Sequence, residues 1–164
     1  MRIWDVNSEL YGIDRSLKNT YILKFRDKRG KKLGVTTCRY TRDGKLVVGA
    51  GSNGDLQFFS LRTRYLRPDI RITSTHRPLQ DITSICFFRN GKNFLTRAQD
   101  NQMKLWDLRN HKQPVNIWYN LPNHLPNTQV SLSPDENLIL TACSDDKTPL
   151  SSRIFIADAN DYDK

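Results

Sequence analysis

The feature that most constrains the fold is an internal repeat. A shift of 47 residues places Val35 on Ile82 and aligns the apolar and turn residues that follow without a gap. The other matched pairs are Cys38 with Ile85, Tyr40 with Phe87, Asp43-Gly44 with Asn90-Gly91, Val47-Val48 with Phe94-Leu95, Asn53-Gly54 with Asp100-Asn101, and Phe58-Phe59 with Leu105-Trp106. A repeat of this length indicates a supersecondary unit that stacks on its neighbours.

A third, less regular copy follows after a further shift of 45 residues, which places Val130 on Ile85 and Asp145 on Asp100. Five extra residues within 146–152 are then needed before Phe155-Ile156 matches Leu105-Trp106. At the other end, residues 2–5 match the close of an earlier unit. We therefore expect the end of one unit in 1–25, full units in 33–73 and 76–118, and an incomplete unit in 127–157.

Each unit reads as four short antiparallel strands, because apolar alternation is interrupted by turn residues every eight to twelve positions. In the second unit Asn90-Gly91 and Asp100-Asn101 are the first two turns, and the third strand closes on Trp106-Asp107. Units of this period and strand number, ending in Trp-Asp, resemble the WD-repeat, whose units are the blades of a β-propeller that usually closes with about four to eight of them. The resemblance thus implies an all-β fold, a partial β-propeller of three to four blades whose ring is not closed within this chain.

Composition argues against several classes of protein. No apolar run approaches the roughly 18 residues of a membrane span, and the N-terminus lacks a signal-peptide pattern, so we expect a soluble, intracellular protein. The three cysteines show no Cys-x-x-Cys spacing, so we predict no metal or other cofactor. Cys38 aligns with Ile85 and is expected to be a small buried residue.

A period near 45 residues with a terminal Trp-Asp resembles the WD-repeat. In that family a His before the first strand, a Ser or Thr in the second, an Asp in the tight turn and the Trp of the third strand form a hydrogen-bonded relay. His76, Thr96, Asp100 and Trp106 occupy these positions. The resemblance implies that Asp100 holds the imidazole while the indole N–H donates to the Thr oxygen, which makes the blade rigid.

His, Thr and Asp also suggest a catalytic triad, and a third interpretation is that they are unrelated surface positions. Catalysis is disfavoured because Thr96 would lie inside a strand, beneath an indole. The neighbouring units also retain the set only in part: Asn53 and Phe59 replace Asp and Trp in one, and Ile156 replaces Trp in the other. Partial retention of the set in neighbouring repeats is expected of a structural brace and not of an active site. We therefore predict no enzyme and no small-molecule substrate.

The net charge of +9 requires that a polyanionic partner be considered. The basic residues form two clusters, 26–32 between an outer and an inner strand, and Arg62, Arg64 and Arg67 between a third and a fourth strand. We expect these connections on opposite faces, which disfavours a single nucleic-acid track. A solvated basic surface is the simpler interpretation, and phosphate contacts by Lys28, Arg29, Lys31 and Lys32 are the alternative.

The order of several short sequence motifs along the chain resembles one WD-repeat family in particular, the nuclear gastrulation defective protein homologues. These motifs are Thr36-Thr37-Cys38, Asp43-Gly44, Asn53-Gly54, Leu105-Trp106-Asp107, Leu121-Pro122, Ser133-Pro134-Asp135 and Leu138-Ile139. The resemblance implies a nuclear protein-binding scaffold linked to DNA-damage signalling and to cullin-RING ubiquitin ligases. A cytoplasmic location, and a nucleic-acid-associated propeller in an RNA-processing or chromatin assembly, are the alternatives.

Some receptors of such ligases bind their adaptor through a pattern that ends in Trp-Asp-x-Arg. Trp106, Asp107 and Arg109 fit this pattern and are the candidate adaptor-docking residues. Arg97 departs from it, since the family has a small residue at that position. The alternative is that Asp107 caps the strand end and Arg109 is a solvated loop charge.

Overall fold

The computed structural model describes residues 1–4, 19–62, 67–144 and 153–160, and all regular elements in these ranges are β-strands. No helix in them could span a membrane. The strands are β1 (Arg2–Trp4), β2 (Asn19–Ile22), β3 (Val35–Tyr40), β4 (Leu46–Gly51), β5 (Leu56–Ser60), β6 (Ile70–Ile72), β7 (Ile82–Phe87), β8 (Asn93–Ala98), β9 (Met103–Asp107), β10 (Asn116–Trp118), β11 (Val130–Leu132), β12 (Leu138–Cys143) and β13 (Arg153–Asp158). The predicted insertion in 146–152, together with Arg64 and Asp145, lies outside the described residues.

The strands form four antiparallel sheets in chain order. Sheet 1 is β1-β2, sheet 2 is β3-β4-β5-β6, sheet 3 is β7-β8-β9-β10, and sheet 4 is β11-β12-β13. The inner strand β7 contacts both β3 and β11, so successive sheets stand side by side. The ring is not closed among the described strands, which confirms the predicted all-β, partial-propeller fold.

The first turn of three successive sheets repeats down to its backbone angles. The φ values are 67° at Gly44, 65° at Gly91 and 63° at Glu136, and each N–H donates to the carbonyl three residues earlier. Glycine adopts this left-handed conformation at little cost, whereas a residue with a side chain pays about 1–2 kcal/mol. Glu136 tolerates that cost because the hairpin on either side holds the turn in place.

Separate apolar clusters fill the three junctions between neighbouring sheets. Adjacent residues on one strand serve different junctions: Val47 packs towards sheet 1, while Val48 packs towards sheet 3. On β8, Phe94 and Leu95 divide in the same way between sheets 2 and 4. The middle sheets are therefore buried on both faces, where each fully buried large apolar side chain contributes about 1.5–3 kcal/mol.

The prediction that Cys38 is buried is wrong. Cys38 is exposed, whereas the aligned Ile85 is only 1% exposed. The difference arises from the neighbouring sheet, because Ile85 packs in the junction with sheet 2. Sheet 1, in the part of the chain that is described, has only the two strands at the outer positions, and no inner strand covers β3.

Sheet 4 carries an uncovered apolar face, formed by Leu138, Leu140, Ile154 and Ile156. Replacing both isoleucines with Thr keeps β-branched side chains in the strand but removes apolar surface. Because such a face favours association between copies of the 164-residue chain, we expect the chain to self-associate and the double substitution to weaken that association several-fold, as measured by sedimentation velocity. Val115→Thr, an isolated exposed position, is the control and should leave self-association unchanged.

Candidate functional site

Four side chains of sheet 3 form a continuous buried hydrogen-bonded relay. His76 precedes β7, Thr96 lies on β8, Asp100 lies in the turn between β8 and β9, and Trp106 lies on β9. The Trp106 Nε1 atom is 3.0 Å from Thr96 Oγ1, which is 2.8 Å from His76 Nε2. His76 Nδ1 is in turn 2.9 and 3.0 Å from the Asp100 carboxylate oxygens. The structure thus brings together all four residues that the sequence singled out.

The direction of each hydrogen bond follows from burial. Burial lowers the pKa of His76, which is 2% exposed, so the imidazole is neutral at physiological pH. Burial by itself would raise the pKa of Asp100, but hydrogen bonds from His76 and the Arg77 N–H outweigh it and lower this pKa. His76 Nδ1–H therefore donates to an ionised Asp100, and Nε2 accepts the Thr96 hydroxyl proton. The Thr96 oxygen accepts the indole N–H, and every relay group has a partner.

This geometry is that of a nucleophile, a base and an orienting carboxylate, but it does not give a usable nucleophile. Thr96 has 0% exposure, and the indole occupies the remaining side of its oxygen. A substrate carbonyl has no path to this atom. Asp100 also accepts the Gln102 N–H, so the relay ties β8, β9 and the segment before β7 into one unit. Its chemical role is to hold the sheet rigid.

Two further side chains, the buried Gln57 and the half-buried Lys104, tie sheets 2 and 3 to the connections that precede them. Gln57 and Lys104, 47 residues apart, occupy the same repeat position on β5 and β9. Gln57 Nε2 donates to the Arg26 carbonyl, and Lys104 Nζ donates to the Thr75 carbonyl, both at 2.6 Å. Burial lowers the pKa of Lys104. The repeat alignment pairs these two positions. Their polarity alone did not indicate that each side chain donates to a backbone carbonyl of the preceding connection.

Arg97 has a structural role that the sequence did not reveal. Its guanidinium has 0% exposure and donates to backbone carbonyls in three segments, those of Ala98, Gln102, Leu121 and Pro122. Burial lowers its pKa from the ordinary value for Arg, but carbonyl oxygens replace the lost water at Nη1 and Nη2, whereas the buried Nε has no partner in the described part of the chain. The signal that could have revealed it is a single charge in the otherwise uncharged strand β8.

The Trp-Asp-x-Arg sequence divides between the interior and the surface. Trp106 is only 3% exposed and is committed to the relay. Asp107 accepts the Arg109 backbone N–H, and its two oxygens lie 3.1 Å from Arg109 Nε and 2.6 Å from Nη2. These hydrogen bonds lower the pKa of Asp107 to about 2. The Arg109 side chain remains 65% exposed, so only Asp107 and Arg109 are positioned to contact a partner.

The candidate phosphate-binding residues Lys28, Arg29, Lys31 and Lys32 are all exposed. Asp27 shapes this loop, because its Oδ1 atom accepts the backbone N–H groups of Arg29 and Lys31 at 2.8 Å. The loop also has an isolated antiparallel bridge between Arg26 and Lys32. A basic turn with an acidic residue inside it is therefore presented to solvent.

The two basic clusters, whose connections are predicted on opposite faces, both contribute residues to one groove. Arg67 and Lys28 line one groove with a volume of about 530 Å³, together with Lys24, Arg26, Asp27, Gly30, Pro68, Asp69 and Arg71. The groove contains residues of both connections and one residue of β6, so it extends along the strands instead of lying on one face. We name it the basic groove.

No group of three or more His, Cys, Asp or Glu residues in the described ranges could hold a metal ion. The structure thus offers two surface features of interest, the Asp107–Arg109 pair and the basic groove, on sheets that are held by buried polar contacts.

Comparison with known proteins identifies the repeat. Residues 69–107 match the WD40 family, described as "WD domain, G-beta repeat". This segment contains the whole relay. The chain is also similar to the crystal structure of the Myceliophteria thermophila Cps50 (Swd1) β-propeller domain, with a TM-score of 0.55 and 19% identity over 74% of this chain and 38% of that one. This likeness shows the propeller fold.

Three curated relatives are similar along most of the chain. Gastrulation defective protein 1 homolog of Drosophila melanogaster is 29% identical over 164 residues, covering 100% of this chain and 24% of the relative. WD repeat-containing protein 70 is 29% identical in Xenopus tropicalis, over 100% of this chain and 25% of the relative, and 34% identical in Rattus norvegicus, over 85% and 21%. The chain therefore spans about a quarter of the length of the curated relatives it matches.

Replacing Thr96 with Val tests the relay as a brace. The substitution keeps the shape of the side chain but leaves the Trp106 N–H and the His76 Nε2 atom without partners. Each unsatisfied buried group costs about 1–3 kcal/mol, so we expect the free energy of unfolding to fall by about 2–4 kcal/mol in urea denaturation. Thr37→Val on β3 is the control and should change it by less than about 0.5 kcal/mol. Equal effects would remove the special role of Thr96.

The buried, neutral His76 predicts a pH dependence of stability. Its folded pKa is lowered, so below about pH 6.5 the unfolded state binds the proton that the folded state excludes. Stability is therefore complete above pH 6.5 and decreases at lower pH, by at most about 1.4 kcal/mol per pH unit. Urea denaturation between pH 7.5 and 5.5 measures it. His76→Gln should flatten the slope and His111→Gln should not; an unchanged slope in His76→Gln contradicts the assignment.

Proposed function

Because this chain carries a WD40 repeat and is homologous to the family of gastrulation defective protein 1 homolog and WD repeat-containing protein 70, we propose that it belongs to a protein-binding scaffold in a nuclear complex. WD-repeat propellers are generally non-catalytic platforms whose loops bind protein partners. The chain spans about a quarter of its relatives, so the partners of the whole protein are part of this proposal.

The more specific proposal is that the protein is a substrate receptor of a cullin-RING ubiquitin ligase in the DNA-damage response. The observation that supports it is the Asp107–Arg109 pair. The turn that follows β9 fixes both side chains in a bidentate arrangement at the surface, directly after the buried Trp106. A docking residue that is already ordered loses little conformational entropy when the partner binds.

The pair also leaves hydrogen-bond donors of Arg109 free for a partner. Arg109 uses Nε and Nη2 for Asp107, and Nη1 has no partner in the described ranges. Asp107 stays ionised because its pKa is about 2, so its ion pair with Arg109 is present throughout the physiological pH range. The guanidinium edge can therefore donate to a carbonyl or carboxylate of an adaptor.

Arg109→Ala in the full-length protein tests the adaptor contact. We expect at least a tenfold loss of ligase adaptor in affinity purification, and an intermediate loss for Arg109→Lys, which keeps the charge but not the bidentate geometry. The matched control is Lys45→Ala, which breaks the exposed 3.4 Å ion pair with Asp43 in the neighbouring sheet. Unchanged adaptor recovery from Arg109→Ala would refute this docking site and leave the scaffold proposal in place.

The second candidate is a nucleic-acid-associated propeller. It is favoured by one observation: Lys28, Arg29, Lys31 and Lys32 are exposed, and none of them forms an ion pair within the described part of the chain. The Asp27 carboxylate at the centre of the loop opposes it, because a phosphate that approaches these cations also approaches this anion. The loop geometry thus gives less support to this function than to protein binding.

A further inference from the structure

The positive charge of the basic groove results from the alternation of apolar and basic side chains along two extended segments. On β6, Ile70 and Ile72 pack into the junction with sheet 3, so the intervening Arg71 lies on the other side of the strand. In the segment after β2, Leu23 and Phe25 pack into the junction with sheet 2, and the exposed Lys24 lies between them. The pattern that builds two cores therefore leaves Lys24 and Arg71 to line the groove.

Four of the five cations of the groove are available to a ligand, while Arg26 already donates through Nη1 to the Gly30 carbonyl at 2.6 Å. None of Lys24, Arg26, Lys28, Arg67 and Arg71 forms an ion pair in the part of the chain that the structure describes. The two carboxylates are both committed to backbone N–H groups. Asp27 accepts from its own loop, and Asp69 Oδ2 accepts the Ser60 N–H at 2.5 Å. The five cations thus exceed the carboxylates by three, and the complementary ligand is acidic.

The lining favours an acidic peptide over a nucleic acid. Single-stranded nucleic acids bind sequence-tolerantly by stacking bases on aromatic side chains, and the described lining contains none. The carboxylates of Asp27 and Asp69 would repel a backbone with a phosphate at every nucleotide. A peptide can place its own acidic residues opposite the cations and neutral residues opposite these two carboxylates. Three of the five cations are arginines, which bind carboxylates in a bidentate manner.

The backbone beside the groove supports an extended peptide. Strand β6 pairs with β5 on one side, and no described strand pairs with its other edge. Such an edge can receive an added strand, which supplies main-chain hydrogen bonds independent of sequence. A nucleic acid has no backbone amides for this pairing.

We propose that the basic groove binds an extended acidic segment of a protein partner, with Arg67 and Arg71 contacting its carboxylates. This inference rests on the proposed scaffold function and names one class of segment that the scaffold binds. The groove is formed by residues other than Asp107 and Arg109, so the two sites can be tested separately.

The test uses a fluorescein-labelled ten-residue peptide of alternating Glu and Thr, and the full-length protein, with binding measured by fluorescence anisotropy at 100 mM salt. We expect Arg67→Glu and Arg71→Glu each to weaken the peptide affinity at least tenfold. Arg89→Glu makes the same change of charge at an exposed position outside the groove, and should alter the affinity less than twofold. Thermal unfolding confirms that each variant is folded.

Three results would overturn the proposal. The first is that the unmodified protein shows no detectable binding of the peptide. The second is that Arg89→Glu weakens the peptide affinity as much as the groove substitutions do, which would indicate diffuse electrostatic attraction. The third is that a ten-nucleotide oligo(dT) binds more tightly than the peptide and loses affinity in the groove variants, which would make the groove a nucleic-acid site. Recovery of the ligase adaptor by the unmodified protein separates the two proposals. Unmodified protein that recovers the adaptor but does not bind the peptide refutes the groove alone, and unmodified protein that does neither refutes the scaffold proposal as well.

Discussion

The structure depends on the burial of each middle sheet against a neighbour on both of its faces. A single four-stranded sheet of this size has two apolar faces, and it becomes stable only when both are removed from water. In this protein adjacent residues of one strand, such as Val47 and Val48, belong to different junctions. Loss of packing at one junction therefore exposes one face of two sheets at once. This is why the uncovered face of sheet 4 carries large apolar side chains, including Ile154 at 72% exposure.

Buried polar contacts give the apolar stack a unique geometry. Apolar packing alone has little directional preference, whereas the relay around Thr96 requires each donor to meet its acceptor. Arg97 has a similar role at the next junction, because its guanidinium joins β8 to the connection that contains Leu121. These groups are charged or polar where water is absent, so a displaced partner leaves an uncompensated group. The result is a rigid support for the turns at the surface.

Rigidity of this kind connects the fold to the proposed function. The turn after Trp106 holds Asp107 and Arg109 in a paired geometry before any partner arrives. The basic groove is equally a product of the framework, since Arg71 faces it only because Ile70 and Ile72 are committed to the core. At both surfaces, the side chains proposed to contact a partner are oriented by the fold before the partner binds.

The sequence by itself determined the number and order of strands from β3 to β10, because turns such as Asn90-Gly91 and the apolar alternation between them are local properties. It also identified the relay residues, since their spacing within one repeat decides which strands carry them. The exposure of Cys38, the carbonyl partners of Arg97 and the meeting of Arg67 with Lys28 were decided only by the tertiary structure. Each of these depends on which neighbouring sheet or connection lies against the residue, and such contacts between distant segments leave no periodic signal in a single chain.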